Sequence, residues 1–197
     1  MNNRYYVMRH GESTANKKGL IVSKPDDALG GYGLTARGAE QVMDAAASTR
    51  LGIETIIISS DYLRARETSE ITHSILDVIK PIEYNTLLRE RDFGDFNLAS
   101  DEHYQDVWQH DTANPDLEHN GVETVSQVLN RGINLIAELE LRYALETILL
   151  VGHGDVLQIL LAYFNDVEPR FHRSFMTIKN AEIRLLPENL STTQLSA

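Results

Sequence analysis

Short β-branched runs alternate along the chain with longer stretches whose apolar residues recur at helical spacing. Residues 5–8, Tyr-Tyr-Val-Met, open it as an apolar strand. Residues 55–59, Thr-Ile-Ile-Ile-Ser, and 147–151, Thr-Ile-Leu-Leu-Val, show no polar alternation, the pattern of strands buried on both faces. A weaker run at 82–86 reads as another short strand, and 174–178 and 182–186 read as edge strands. Between them, Ala39, Val42, Met43 and Ala46 predict a helix with Thr35 as its N-cap. Leu63, Ile71, Ile75 and Val78 predict the buried stripe of a second helix, capped by Ser60-Asp61 and ended by Lys80-Pro81. A short helix is expected over 101–110. Thr124 and Gln127 make a capping box for a long helix carrying Val125, Leu129, Ile133 and Ile136. Gly132 weakens that helix by about 1 kcal/mol relative to alanine. Residues 155–164 give the last helix. The segments 17–33 and 87–100 read as irregular, and roughly the last ten residues as loose.

Strands alternating with helices predict the α/β class, a three-layer α/β/α sandwich with a largely parallel central sheet. No repeat, low-complexity block or linker divides the chain, so residues 1–197 read as one domain. A hydrophobic content of 42% and a charged content of 24% fit a soluble globular protein. The apolar runs are too short to span a bilayer, and residues 1–4 lead into a strand with no signal-peptide core, so a cytoplasmic location is expected. The absence of cysteine excludes disulfides, thiolate nucleophiles and cysteine-ligated zinc. With 18 basic against 29 acidic residues the net charge is -11, which repels nucleic acid and anionic membranes as partners. Self-association into a homo-oligomer is left open. An anionic substrate requires a locally basic pocket in this acidic background.

The chemistry-bearing residues come directly after the predicted strands. Arg9-His10-Gly11 follows the first, Asp61 to Arg64 the second, Arg89-Glu90-Arg91 the strand at 82–86, and His153-Gly154 the strand at 147–151. In open α/β sheets ligands bind beyond the carboxyl ends of the strands. Arg9, His10, Arg64, Glu90 and His153 all fall at that edge, where arginine forks and helix N-termini favour phosphate. A metal-dependent hydrolase using His10, His153 and Asp155 is an alternative, but the other histidines show no supporting pattern. A non-catalytic phosphoryl-binding module would keep the arginines and lose the nucleophile or the acid, whereas His10 and Glu90 are both present.

Taken in order, these motifs resemble the histidine phosphatase superfamily, its phosphoglycerate-mutase-like group, over about residues 5–183. The carriers are Arg9-His10-Gly11-Glu12-Ser13 with Asn16, Leu34-Thr35-Ala36-Arg37-Gly38, the segment 59–68 around Arg64, Leu88-Arg89-Glu90 with Gly94, and Val151-Gly152-His153-Gly154. The resemblance implies that His10 attacks phosphorus and forms a phosphohistidine, its other ring nitrogen donating to a backbone carbonyl. Arg9 and Arg64 then hold the non-bridging oxygens, His153 donates to them, and Asn16 and Gly154 are further substrate contacts. Glu90 protonates the leaving oxygen and later activates water. No metal and no cofactor is implied, and the partner is a small-molecule phosphate ester. Glu12, Glu123 and Thr124 match family segments but are equally explained as structural.

The family holds mutases as well as phosphatases. Residues 92–130 contain no lysine or arginine but do contain Asp95, Asp101, Glu102, Asp106, Asp111, Asp116, Glu118 and Glu123. That acidity disfavours bisphosphates and mutase chemistry, favours monoester hydrolysis, and suggests a neutral or cationic leaving group. Two departures stand out: Asp95-Phe96-Asn97-Leu98 replaces the family's tryptophan-acid-glycine run, and the 24–33 loop is longer than its commonest form. Ser23 or Tyr32 could touch substrate from that loop.

Overall fold

The β-branched runs assemble into one sheet. The computed structural model describes residues 1–175 and 177–187. Its strands are β1 (Arg4–Arg9), β2 (Ile56–Ser59), β3 (Glu83–Tyr84), β4 (Thr147–Gly152) and β5 (Ile183–Leu185), in the spatial order β3-β2-β4-β1-β5. The first four run parallel and β5 pairs antiparallel to β1. Helices α1 (Thr14–Lys18), α2 (Pro25–Ala28), α3 (Ala36–Ser48), α4 (Leu63–Ile75), α5 (Tyr104–Ala113), α6 (Val125–Arg142), α7 (Gly154–Phe164) and α8 (His172–Phe175) complete the chain.

Strand periodicity sorts the side chains onto two faces. Val7, Ile58 and Leu150 pack with Leu135 and Ile136 of α6 and Leu157 and Leu160 of α7. Met8, Ile57, Leu149 and Val151 pack on the other face against Val42 of α3 and Ala65 of α4. The result is the expected three-layer sandwich with a mostly parallel sheet. Thr35 caps α3 through its hydroxyl, and Thr124 with Gln127 forms the expected capping box on α6. Among the described residues no helix is long and apolar enough to cross a membrane.

Several local expectations are corrected. The 17–33 segment is not all loop. Ser13 and Asn16 make a capping box that starts α1, with Asn in the place usually taken by Glu or Gln, and Pro25 sits in the first turn of α2. In α4 the buried face is Arg64, Ala65, Thr68, Ser69 and Thr72, whereas Ile75 is 43% exposed and Val78 lies past the helix end. Hydroxyls satisfied on the helix backbone, Thr68 on Arg64 and Thr72 on Thr68, let this face pack closely without aliphatic side chains. No side chain caps α4: Ser60 accepts from the Tyr62 N–H, one residue short of the helix, and Asp61 binds Arg89 instead. Residues 174 and 175 belong to α8, not to an edge strand. The strand expected at 82–86 shortens to Glu83–Tyr84 and passes into a 3-10 turn, Thr86–Leu88. The tail expected to be loose lies outside the described residues.

Two glycines form the seam between β1 and α3. A Cβ on Gly38 would stand 2.0 Å from the Glu12 carbonyl oxygen, and one on Gly11 would stand 2.4 Å from that of Gly38. The glycine after Arg9-His10 is therefore needed for contact with α3. Gly132, expected only to weaken α6, lets α7 approach, since a Cβ there would meet Leu160 at 2.7 Å. Overpacking costs about 1–3 kcal/mol and a protein of this size loses ≈ 2–4 °C per kcal/mol, so Gly38→Ala is expected to lower the unfolding midpoint by roughly 2–12 °C. Gly30→Ala, with nothing within 4 Å, should leave it nearly unmoved in the same calorimetric scan.

Candidate active site

The parallel strands end together, and their carboxyl ends carry the predicted residues. Arg9 closes β1 and His10 follows it; His153 follows β4; Arg64 lies in the first turn of α4 after β2; Glu90 follows the turn after β3. Arg9, His10, Asn16, Arg64 and Glu90 line one small pocket, covered by Tyr104 of α5. Its volume of about 20 Å³ leaves room for little more than a water, so a phosphoryl group enters only as the lining groups give way. A larger cavity of about 490 Å³ lies at the opposite end of the sheet, but no histidine lines it.

His10 is buried, with Nδ1 2.7 Å from the Gly11 carbonyl oxygen. A carbonyl only accepts, so Nδ1 carries the proton and Nε2 presents a lone pair. That lone pair faces Arg64, whose Nε lies 3.2 Å from it and 3.2 Å from Nδ1 of His153. Burial first, and then the charge of Arg64, push both histidines well below their ordinary 6.5. Both rings are neutral. On His153 the proton accordingly sits on Nε2, 2.9 Å from the Ser60 hydroxyl. Arg64 anchors Nη2 on the Val22 carbonyl at 3.0 Å, and Arg9 anchors Nη1 on that of Ile178 at 3.0 Å. Nη1 of Arg64 and Nε of Arg9 are buried with no partner among the described residues. Unpaired buried guanidinium N–H groups are costly, and an anion between them would satisfy both.

Glu90 is the acid of the pocket. Burial, helped by the charge of Asp155, raises its pKa, with Arg64 and Arg9 opposing. Asp155 itself points elsewhere, accepting from the Trp108 indole at 3.1 Å and from Arg91 at 3.4 Å. Burial alone would raise Asp155, but His172, Arg91 and Arg173 hold it below the usual carboxylate range. Arg91 in turn grips Asp111 of α5 with two bonds of 2.6 and 2.7 Å. This buried network fixes α5 above the pocket. Burial also raises the pKa of the Tyr104 hydroxyl, with Glu90 and Asp155 adding to it.

Not every predicted contact lines the pocket. His153 reaches it only through Arg64 and through the His10 ring, whose centroid is 5.2 Å away. Gly154 opens α7 beside the Arg9 guanidinium, where a Cβ would stand at an ordinary contact distance of 3.7 Å. Asn16 lines the pocket, but its Oδ1 is engaged by the Ser13 N–H at 3.1 Å. Glu12 is structural, accepting from the Thr35 hydroxyl at 2.7 Å. Thr124 caps α6, and Glu123 is bound by Arg131 at 2.7 Å. Ser23 is buried against Asn97 and Phe93, and Tyr32 lies under Lys18, so neither reaches the pocket. None of the acids between residues 95 and 123 lines it either: Asp111 and Glu123 are paired inward, and Asp95, Asp101, Glu102, Asp106, Asp116 and Glu118 are exposed. The basis for a neutral or cationic leaving group is removed. Sequence reasoning missed Ser60, which it took for a helix cap, and Tyr104, an aromatic in a polar stretch that gave no signal of its own.

Neutral buried histidines tie stability to pH. Above 6.5 they are uncharged in the folded and the unfolded chain alike. Below it the unfolded chain takes up protons that the folded one refuses, so stability falls as pH falls. Between pH 7.5 and 5.5 each such histidine costs stability on the order of 1 kcal/mol. Urea unfolding of His153→Gln should therefore show a smaller pH-dependent loss than the wild type's. Equal losses would mean that His153 charges freely in the folded protein.

Comparison with known proteins places the chain. It is 26% identical over 163 residues to the uncharacterized phosphatase PhoE of Bacillus subtilis strain 168, covering 83% of this chain and 78% of that one. It is 30% identical over 168 residues to the probable phosphoglycerate mutase GpmB of Escherichia coli O1:K1 / APEC, covering 80% and 72%. The fold matches the mycobacterial glucosyl-3-phosphoglycerate phosphatase Rv2419c in complex with VO3, with a TM-score of 0.76, 22% identity, and 95% and 99% of the two chains covered. The family model for the histidine phosphatase superfamily (branch 1) matches residues 5–195, and the chain belongs to that superfamily.

Proposed function

We propose that this protein hydrolyses a small-molecule phosphate monoester through a phosphohistidine on His10, without a metal ion. The observation that carries this reading is the neutral His10, with Nδ1–H held by the Gly11 carbonyl and the Nε2 lone pair turned toward Arg64. A phosphoryl group bound by Arg9 and Arg64 draws the guanidinium off Nε2 and frees the lone pair. Nε2 attacks phosphorus, the bond to the ester oxygen breaks, and Glu90 gives that oxygen its proton. Water then attacks phosphorus, its proton goes to Glu90, and the P–N bond breaks to release phosphate. The arginines offset the charge on the non-bridging oxygens throughout. His153 shares Arg64 with the nucleophile, and the Ser60 hydroxyl can donate to its Nε2, which would let Nδ1 carry a proton toward the same oxygens.

Hydrolysis is favoured over phosphoryl retention because α5 brings Tyr104 to the pocket and no cation that would hold a second phosphate there. PhoE, a relative named as a phosphatase, supports this choice, while GpmB, named as a probable phosphoglycerate mutase, keeps the mutase as the alternative. A metal site on the two histidines is disfavoured, since the Arg64 N–H occupies the lone pairs that a metal would need.

The test is phosphate release from a panel of phosphomonoesters with chelator present. Wild type should turn over and His10→Ala should not; release that persists in His10→Ala, or that chelator abolishes, would sink the reading. The pH profile adds a second expectation. Glu90 acts in its protonated form, so its raised pKa extends activity toward neutrality, and kcat/KM for alkyl esters falls as pH rises through that value. The depressed pKa of His10 keeps the nucleophile neutral well below 6.5. Glu90→Gln should lower kcat on alkyl esters by roughly 10²–10⁴-fold and remove the basic limb, with a smaller loss on p-nitrophenyl phosphate, whose leaving group needs no proton.

A further inference from the structure

Beside the catalytic pocket lies a second cleft of about 420 Å³, between α5 and the segment that runs through α8. The two adjoin. Tyr104 lines the first and Trp108 the second, and their rings stack at 5.1 Å. On the other wall, Arg9 of the first is held by the Ile178 carbonyl, and Thr177 of the second is the preceding residue. The charge of Arg173 is felt at Arg9, lowering its pKa further after burial has done so.

Resting on the phosphatase reading above, we propose that this cleft receives the leaving alcohol, and that this alcohol is a polyhydroxylated chain ending in a carboxylate. Arg170 and Arg173 supply the charge, Gln105, Gln109 and Thr112 supply hydrogen bonds, and none of the described residues lining the cleft is an acid. Arg173 is pre-set: it lies 3.7 Å over the Trp108 ring and donates through Nη1 to Gln158 at 2.5 Å. Arg170 pairs with Glu168, and its Nε is buried without a partner among the described residues. The unpartnered Arg170 N–H, on a planar guanidinium, suits a carboxylate oxygen. Glu168 and Asp155, the latter 3.7 Å from Arg173, already offset part of the positive charge, so a single negative charge fits better than a second phosphate dianion. The lining offers amides and hydroxyls more than apolar surface, which favours a polyol over an aryl or alkyl group. The cleft's cations lie at residues 170 and 173, outside the 92–130 window that holds no lysine or arginine.

The matched probes are 6-phosphogluconate and sorbitol 6-phosphate, which share a six-carbon chain and differ in a terminal carboxylate against a hydroxymethyl. KM should be lower for 6-phosphogluconate by about tenfold with kcat little different, and Arg170→Gln should erase most of that preference while Arg170→Lys keeps part of it. Calorimetric binding of both probes to His10→Ala reads the cleft without turnover and should show the same preference. Hydrolysis of both esters with equal KM, or a preference untouched by Arg170→Gln, would overturn the assignment and leave the phosphatase reading standing. Arg170-dependent binding of 6-phosphogluconate to His10→Ala, with no ester of the panel hydrolysed by the wild type, would uphold the cleft and remove the phosphatase reading.

Discussion

A single buried N–H, the Nε of Arg64, governs the site. It is shared between Nε2 of His10 and Nδ1 of His153, and two lone pairs converge on it only if both rings are neutral. The cation therefore dictates the protonation of the histidines, and they in turn replace part of the water it gives up on burial. Its Nη2 is tied to the Val22 carbonyl, which pins the 17–33 segment against the sheet edge. Its Nη1 has no partner among the described residues. With Nε of Arg9 unpartnered as well, the pocket is short of acceptors at two guanidinium groups, and an oxyanion between them would supply what is missing.

Around this pair the backbone is packed too tightly to move freely. Gly11 and Gly38 touch without side chains between them, and the Gly11 N–H donates to the Thr68 hydroxyl of α4 at 3.2 Å. The turn that carries His10 is clamped by α3 and α4 together. On the opposite side, Arg91, Asp111, Asp155 and Trp108 tie α5 to the start of α7. Buried charges of this kind add little net stability, but removing one member leaves its partner stranded at several kcal/mol. They specify where α5 sits, and so where Tyr104 sits.

Much of this was legible in the chain. The strands at 55–59 and 147–151 are unbroken β-branched and aliphatic runs that fit only a buried sheet, and Thr35 and Thr124 with Gln127 start their helices by plain capping chemistry. The buried face of α4 was not legible, because hydroxyl residues bonded to their own helix do the packing that aliphatics usually do. Arg9, His10, Arg64 and Glu90 meet at one pocket, as the sequence led one to expect, because parallel strands deliver the residues at their carboxyl ends to a common edge. Ser60 was misread because a serine before a helix looks like a cap whether or not it faces a histidine. The acids between residues 95 and 123 misled for a related reason: a sequence records the sign of a charge but not the direction in which it points.

The strand order carries a consequence for how the protein is made. β4 lies between β1 and β2, so these two strands have no ladder to join them until residues 147–152 exist. The turn after β1 is then fastened from the far end, where the Ala181 N–H binds the carbonyls of Arg9 and His10. Contacts this distant along the chain form slowly. During synthesis His10 precedes β4 by more than a hundred residues and cannot meet His153 until that strand has followed it. A nascent chain that ends before β4 has His10 but not the second ring that shares Arg64 with it.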